Sequence, residues 1–225
     1  MDSIDLLKIT ASVIALAIAI IGHEIMHGWV AYKYGDTTAK DAGRLSVNPL
    51  IHIDPVGTIA VPLMMYFIPM LLGMGSGILF GWAKPVPINM RTVINSGGLG
   101  AAMQVSLAGI AYNFVMAALF AVILTGMHQP LESDGLGYVF LFLLVMQLVL
   151  INVVLAVFNL LPIPQFDGAH FVMFAALRLG LRSVAMWFER LEPYGILIVI
   201  ILLITPLSHY VLFAPVQFVL HLLLS

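Results

Sequence analysis

The residues best suited to chemistry are two histidines and a glutamate within the apolar run 20–32. His23, Glu24 and His27 follow the pattern His-Glu-x-x-His. On an α-helix, residues four apart share a face, so both imidazoles can bind one zinc ion. Glu24 can then reach the open position of that metal and act as general base on a bound water. The pattern therefore predicts a zinc centre that activates water.

The composition places this pattern in a membrane. Of the 225 residues, 62% are hydrophobic and 9% are charged, whereas a soluble domain carries about a quarter charged residues. Ionisable residues inside an apolar span are costly and by default mark a functional site. The alternative is a packed polar cluster at a membrane interface, where such side chains act as anchors.

The net charge and the cysteine content limit the possible binding partners and metal ligands. The net charge is −2 without a basic tail, which argues against nucleic-acid binding, and there are no cysteines. Any metal must therefore bind to His, Asp or Glu. Without internal repeats or long extramembrane stretches, residues 1–225 are predicted to form one membrane-embedded domain. Its catalytic core covers 6–180, and 191–225 form a C-terminal helical hairpin.

The apolar segments predict an α-helical polytopic membrane protein with about five to six transmembrane segments. Spans are expected at 6–32, 99–126 and 137–162. Basic residues flank the segment 56–80 on both sides, so both flanks should be cytoplasmic and this segment should be re-entrant, lining the active-site cavity. Lys33 ends the first span, which places His27 about 9 Å from that end, nearer the cytoplasmic side.

The loop 33–55 is polar and rich in turn residues. Residues 37–39 and 45–47 are predicted to form short β-strands around Gly43. His52 and Asp54 could serve as further metal ligands, but an ordered loop with local side-chain to backbone bonds is the favoured interpretation.

The second half of the site follows the span 137–162. Prolines stop that helix, and Asp167 then falls at a depth similar to that of the two histidines. A catalytic zinc takes three protein ligands and a water, so His23, His27 and Asp167 make a complete set. Asp167 could instead cap a helix at 168–180, a role compatible with ligation.

These motifs together resemble the site-2 protease family of intramembrane zinc metalloproteases. The first span carries His-Glu-x-x-His, and a later span carries Asn159-x-x-Pro-x-x-x-x-Asp167-Gly. Residues 109–113 stand in the place of the family's Gly-Pro-x-x-Asn motif. Residues 36–49 and 81–87 resemble loop motifs of a compact prokaryotic branch without PDZ or CBS domains.

One position departs from the family pattern. Ile110 stands where the family usually has proline, which could alter the local kink of the span 99–126 and bears on the role of Asn113. The resemblance covers roughly residues 6–180.

The resemblance implies an intramembrane zinc metalloendopeptidase with one zinc per chain. Zinc would be held by His23, His27 and Asp167, with Glu24 as general base. Asn159 is the first candidate for stabilising the oxyanion, and Asn113 is the second.

Other roles are open for the amide and imidazole side chains near the site. Asparagines inside spans also serve simply to hold helices together. His170 either orients the Asp167 carboxylate or lies among the lipid headgroups.

The expected substrate is a transmembrane segment of another protein, cleaved in a prokaryotic cell membrane. Residues 37–47 or 81–90 could hold it as an added strand. Two alternatives are a zinc transporter, which would need polar residues across the whole bilayer, and a catalytically silent homologue that binds membrane proteins. The oligomeric state, the substrate and the cleavage site are left open by the sequence.

Overall fold

The computed structural model describes residues 3–60, 64, 83–131 and 133–225. Within these residues the chain is helical and has no β-strand. The helices are α1 (Ser3–Lys33), α2 (Thr38–Asp41), α3 (Met90–Thr125), α4 (Leu136–Leu160), α5 (Asp167–Arg178), α6 (Arg182–Leu191), α7 (Gly195–Ile204) and α8 (Ala214–Leu224). Short 3-10 or π turns lie at Pro49–His52, Pro55–Ala60, Glu192–Tyr194 and His209–Phe213.

Three of these helices, α1, α3 and α4, are long and apolar enough to cross a membrane. The helical stretch Arg182–Ile204 and the stretch His209–Leu224 meet at a bend of 94° and would add a fourth crossing if they form one span. The described residues thus give a multi-pass helical membrane protein with three to four spans, rather than the five to six predicted. The predicted re-entrant segment 56–80 lies largely outside the described residues and stays a prediction.

The boundaries of the long helices follow from local sequence. The side chain of Asn89 caps α3 by accepting the N–H of Thr92, as short polar residues at this position commonly do. Gly98 interrupts α3 with φ 66° and ψ −168°, a conformation that favours glycine. Leu161 is extended after α4 because the proline that follows disfavours the helical conformation there.

The predicted strands at 37–39 and 45–47 are wrong. Residues from Thr38 onward form α2, and no strand occurs at 45–47. The carboxylate of Asp36 accepts the N–H of Thr38 at 3.0 Å, and this side-chain bond starts a helical turn in place of an extended chain. Gly43, with φ 65°, then turns the chain away.

Helix α1 packs through one row of residues spaced four apart. Residues four apart are neighbours along a helix, and a longer row of this spacing forms a ridge that winds slowly around it. All residues of the row are buried, four of them with no exposed surface: Ala11, Ala15, Ala19, His23, His27 and Ala31. Small side chains allow neighbouring helices to approach closely. The ridge that packs against the other helices is therefore the ridge that carries both histidines.

Candidate metal centre

The structure brings the three predicted metal ligands together. Asp167 Oδ2 lies 3.0 Å from His23 Nε2 and 3.1 Å from His27 Nε2. The two Nε2 atoms are 3.1 Å apart. Both histidines are buried, and Asp167 is partly buried. The three atoms form a nearly equilateral triangle at the contact between α1 and the start of α5.

A tight turn after α4 returns the chain to the histidines. Asp167 is the first residue of α5, and the residue before it caps the helix without a side-chain bond. Gly168 makes the approach possible, because a Cβ there would lie 2.2 Å from the carbonyl oxygen of Leu160. Asp167 thus faces the two histidines and does not occupy the capping position that the sequence also allowed.

Each histidine has its tautomer set by a neighbour on α3. His27 Nδ1 lies 2.7 Å from the carbonyl oxygen of Val105. A carbonyl only accepts, so this Nδ1 carries the hydrogen and the neutral ring presents the Nε2 lone pair. His23 Nδ1 lies 2.7 Å from Asn113 Oδ1 and is oriented in the same way.

The orientation of Asn113 is itself set by further bonds. Its Nδ2 donates to the carbonyl oxygen of Ala19 at 3.2 Å and to Asn152 Oδ1 at 2.9 Å. Asn152 Nδ2 donates in turn to the carbonyl oxygen of Leu148 at 2.7 Å. Both asparagines are fully buried. Main-chain carbonyls on α1 and α4 therefore direct the Asn113 oxygen at His23, an outer shell typical of metal-bound histidines.

The sequence analysis did not assign a site role to Asn152. Its only signal was an amide in the middle of an apolar span, which commonly joins helices without further function. Which helix it meets depends on the register between α3 and α4, and the sequence does not give that register.

The donor set fits a catalytic zinc ion. Two Nε2 lone pairs and a carboxylate oxygen converge, and no hydrogen-bond donor lies between them once the tautomers are set. Tetrahedral zinc with bonds of 2.0–2.2 Å would separate its ligand atoms by about 3.3 Å, close to the separations of 3.0–3.1 Å observed. Three protein ligands leave one position for water.

Burial alone would raise the pKa of the Asp167 carboxyl group, but the charge and hydrogen bonds of His27 and His23, in their protonated form, hold that pKa below its ordinary value. A metal ion bound by the neutral histidines would favour the ionised carboxylate in the same way.

Glycine at position 109 lets α3 reach the histidines. A Cβ there would lie 2.5 Å from both His27 Nε2 and His23 Cε1. The neighbouring Ile110 is buried, and α3 stays helical at this point. The break in α3 lies at Gly98, so replacement of the family proline by Ile110 leaves the helix continuous beside the metal ligands.

Glu24 is partly buried, and its carboxylate has a defined partner. Glu24 Oε2 accepts the backbone N–H of Val86 at 2.8 Å. Glu24 directly follows His23, one of the three candidate ligands, and its partner Val86 lies in the segment that precedes α3.

The remaining candidates lie outside the triangle. Asn159 is partly buried, and its Nδ2 donates to the carbonyl oxygen of Leu155 on its own helix at 3.0 Å. His170 is exposed, and its imidazole makes no hydrogen bond with a described residue. His52 donates to the carbonyl oxygen of Ser46, and the Asp54 carboxylate accepts backbone N–H groups, so both serve the loop as expected.

Fold and site together define a multi-pass membrane protein with a candidate metal site of two histidines and one aspartate. The chain is 36% identical over 204 residues to a Bacillus subtilis (strain 168) protein named "Putative zinc metalloprotease YwhC", covering 89% of this chain and 83% of that protein. It is 30% identical over 190 residues to "Putative zinc metalloprotease Rip2" of Mycolicibacterium smegmatis, covering 82% of this chain and 62% of that protein. The chain therefore belongs to the site-2 protease family of zinc metalloproteases.

Two further comparisons gave no result. No protein-family model and no solved structure matches the chain.

Proposed function

We propose that this protein is an intramembrane zinc metalloendopeptidase that cleaves membrane proteins in or near their transmembrane segments, as in regulated intramembrane proteolysis. The observation that carries the proposal is the convergence of two Nε2 lone pairs and one carboxylate oxygen within 3.1 Å of one another. This donor set lies on apolar helices in a chain whose relatives are named zinc metalloproteases.

The residues of the chain have separate tasks in this proposal. His23, His27 and Asp167 hold one zinc ion, which supplies Lewis acidity and a water that ionises near neutral pH. Glu24 takes the proton of the attacking water and passes it to the leaving nitrogen.

The two asparagines differ in what they can donate. Asn113 uses its oxygen for His23 and its amide hydrogens for Ala19 and Asn152. We therefore assign it to positioning His23, and no amide hydrogen remains for an oxyanion. Asn159 has one intrahelical bond, so its second N–H is free to stabilise an oxyanion.

The end of α1 supports a site near one membrane surface. Lys33 Nζ lies 4.1 Å from the ring centre of Trp29, and Lys40 Nζ lies 4.7 Å from that of Tyr32. Tryptophan, tyrosine and lysine of this kind mark the membrane–water interface. His27 lies about 9 Å along the helix from Lys33, a short path for water. The proposed location is the cytoplasmic side of a prokaryotic cell membrane.

The proposal is tested with purified protein in liposomes and a panel of single-span substrates. Wild type and Glu24→Gln are compared at matched zinc content. Cleavage by the wild type that is lost in the variant and on chelation is the expected result. Zinc uptake into the liposomes without cleavage, equal in both proteins, would instead indicate a transporter and overturn the proposal.

A further inference from the structure

A segment without regular secondary structure, residues 83–89, lies beside α1 and is anchored by four hydrogen bonds; we call it the 83–89 strap. Its backbone meets side chains or carbonyls from α1 and from the loop after α1. The bonds are Lys84 N–H to His52 C=O (2.9 Å), Arg44 Nη2 to Lys84 C=O (2.6 Å), Val86 N–H to Glu24 Oε2 (2.8 Å) and Asn89 N–H to Asp36 Oδ2 (2.6 Å).

The strap offers little to a substrate strand. Pro85 and Pro87 have no N–H, and the bonds above occupy three other N–H groups. Within the strap, Ala83 and Ile88 are the residues whose N–H groups have no partner among the described residues. Strand addition needs donors and acceptors alternating along one edge. The described part of 81–90 therefore does not suit the substrate-pairing role that the sequence suggested.

Two of the side chains that anchor the strap are buried. Arg44 and Asp36 are 7% and 2% exposed, and Arg44 makes no ion pair with a described residue. A guanidinium removed from water and bonded to a backbone carbonyl is costly, so this anchor is a specific feature and not a chance surface contact.

The strap also packs directly against α1. A Cβ at Gly28 would lie 2.9 Å from Val86 Cγ1. Gly28 is one helical turn after Glu24, so Val86 touches α1 through its side chain and holds Glu24 through its N–H. The two contacts fix the position of the Val86 peptide relative to the carboxylate.

We infer that the 83–89 strap positions the general base: the Val86 N–H holds one carboxylate oxygen of Glu24 and leaves the other for the attacking water. Val86 is thus a positioning residue that acts through its backbone, and Arg44 supports it through the Lys84 carbonyl. The inference rests on the proposed function of Glu24. A glutamate side chain is flexible, so holding it in one orientation removes the need to order it at the moment of proton transfer.

Activity gives the first test. Val86→Pro removes the N–H, whereas Val86→Ala shortens the side chain and keeps the N–H. At matched zinc content, we expect kcat of V86P to fall about 10- to 100-fold, with KM changed less than about threefold. V86A should retain at least about ten times the kcat of V86P. Equal kcat values in the two variants would overturn the inference.

Hydrogen exchange gives a second test that does not depend on cleavage. Gln at position 24 keeps a carbonyl acceptor for Val86, and Ala removes it. In a peptide covering the strap, the Val86 amide should exchange about tenfold faster in Glu24→Ala than in the wild type, with Glu24→Gln close to the wild type. Equal exchange in wild type and E24A would overturn the inference even if V86P does not fold. If exchange follows the expected pattern but the protein cleaves no substrate, the hydrogen bond between the strap and Glu24 would be confirmed and the proposed proteolytic function would be overturned.

Discussion

The two halves of the metal centre are built differently. The histidine half lies on the packed face of α1, and both rings are held from α3 by Asn113 Oδ1 and the Val105 carbonyl. The aspartate half lies on a tight turn after α4, where the nearby Asn159 bonds only to its own helix. The histidines are thus fixed by contacts between helices, and the aspartate is fixed mainly by backbone geometry.

This difference shows which asparagine can orient one of the candidate metal-binding side chains. Asn113 and Asn159 both stand in motifs of the family resemblance. Asn113 is fully buried where three helices meet, and every polar atom of its side chain is used. Asn159 lies near the end of α4 and is partly buried. Position in a helix interface, more than membership in a motif, decides the role.

The largest effect is expected from loss of a ligand. His27→Ala removes one of three converging donors, so bound zinc should fall from about one per chain to below about 0.1, as elemental analysis of the purified protein would show. His170→Ala is the matched control, since His170 is exposed on the helix that begins at Asp167. Equal zinc in H27A and the wild type would contradict the ligand assignment.

Asn113→Ala should have the next largest effect. It leaves His23 Nδ1 without its acceptor, so zinc affinity should weaken about 10- to 100-fold, as is usual for loss of an outer-shell partner. Asn159→Ala should weaken it less than about threefold. Competition with a chelating indicator measures both. A larger loss in N159A than in N113A would reverse the comparison between the two halves.

Gly168→Ala tests the aspartate half. The added Cβ would lie 2.2 Å from the Leu160 carbonyl oxygen, so the turn must shift and carry Asp167 with it. Zinc affinity should weaken about tenfold, in line with the cost of overpacking. Gly126→Ala is the control, because its Cβ would meet nothing closer than 3.5 Å. An unchanged affinity in G168A would show that the turn does not fix the carboxylate.

Among the side chains that hold the histidines in place, Asn152 should give the smallest effect when it is replaced by Ala. Asn113 would lose one of two acceptors and keep the Ala19 carbonyl, so zinc affinity should weaken only about threefold. The double variant with Asn113→Ala tests whether both act on one path. If they do, the double variant should bind zinc about as well as N113A alone. Additive losses would show that Asn152 does not act through Asn113 on His23.

The convergence of His23, His27 and Asp167 could largely be predicted from the sequence because its determinants are local. His23 and His27 share a face through their four-residue spacing, and the end of the span before Asp167 sets its depth. For Asn113, the sequence predicts a position near the site but not the groups that its side chain contacts. Its actual contacts, and the involvement of Asn152, depend on the register between α3 and α4, which no local pattern encodes.

The fold was predicted in outline. The apolar runs gave the three long helices, but the strand predicted at 37–39 was wrong because the side chain of Asp36 starts a helical turn there. Residues 81–90 are predicted from the sequence as a candidate edge for a substrate strand, but the sequence does not show that three N–H groups of the 83–89 strap have distant partners, including Glu24.

The most direct test of the central claim is X-ray absorption at the zinc edge of the purified protein. The account predicts one zinc per chain with a shell of nitrogen and oxygen at about 2.0–2.1 Å and the scattering of two imidazoles. Protein without zinc, or zinc with an oxygen-only shell, would contradict the convergence of His23, His27 and Asp167 on one metal.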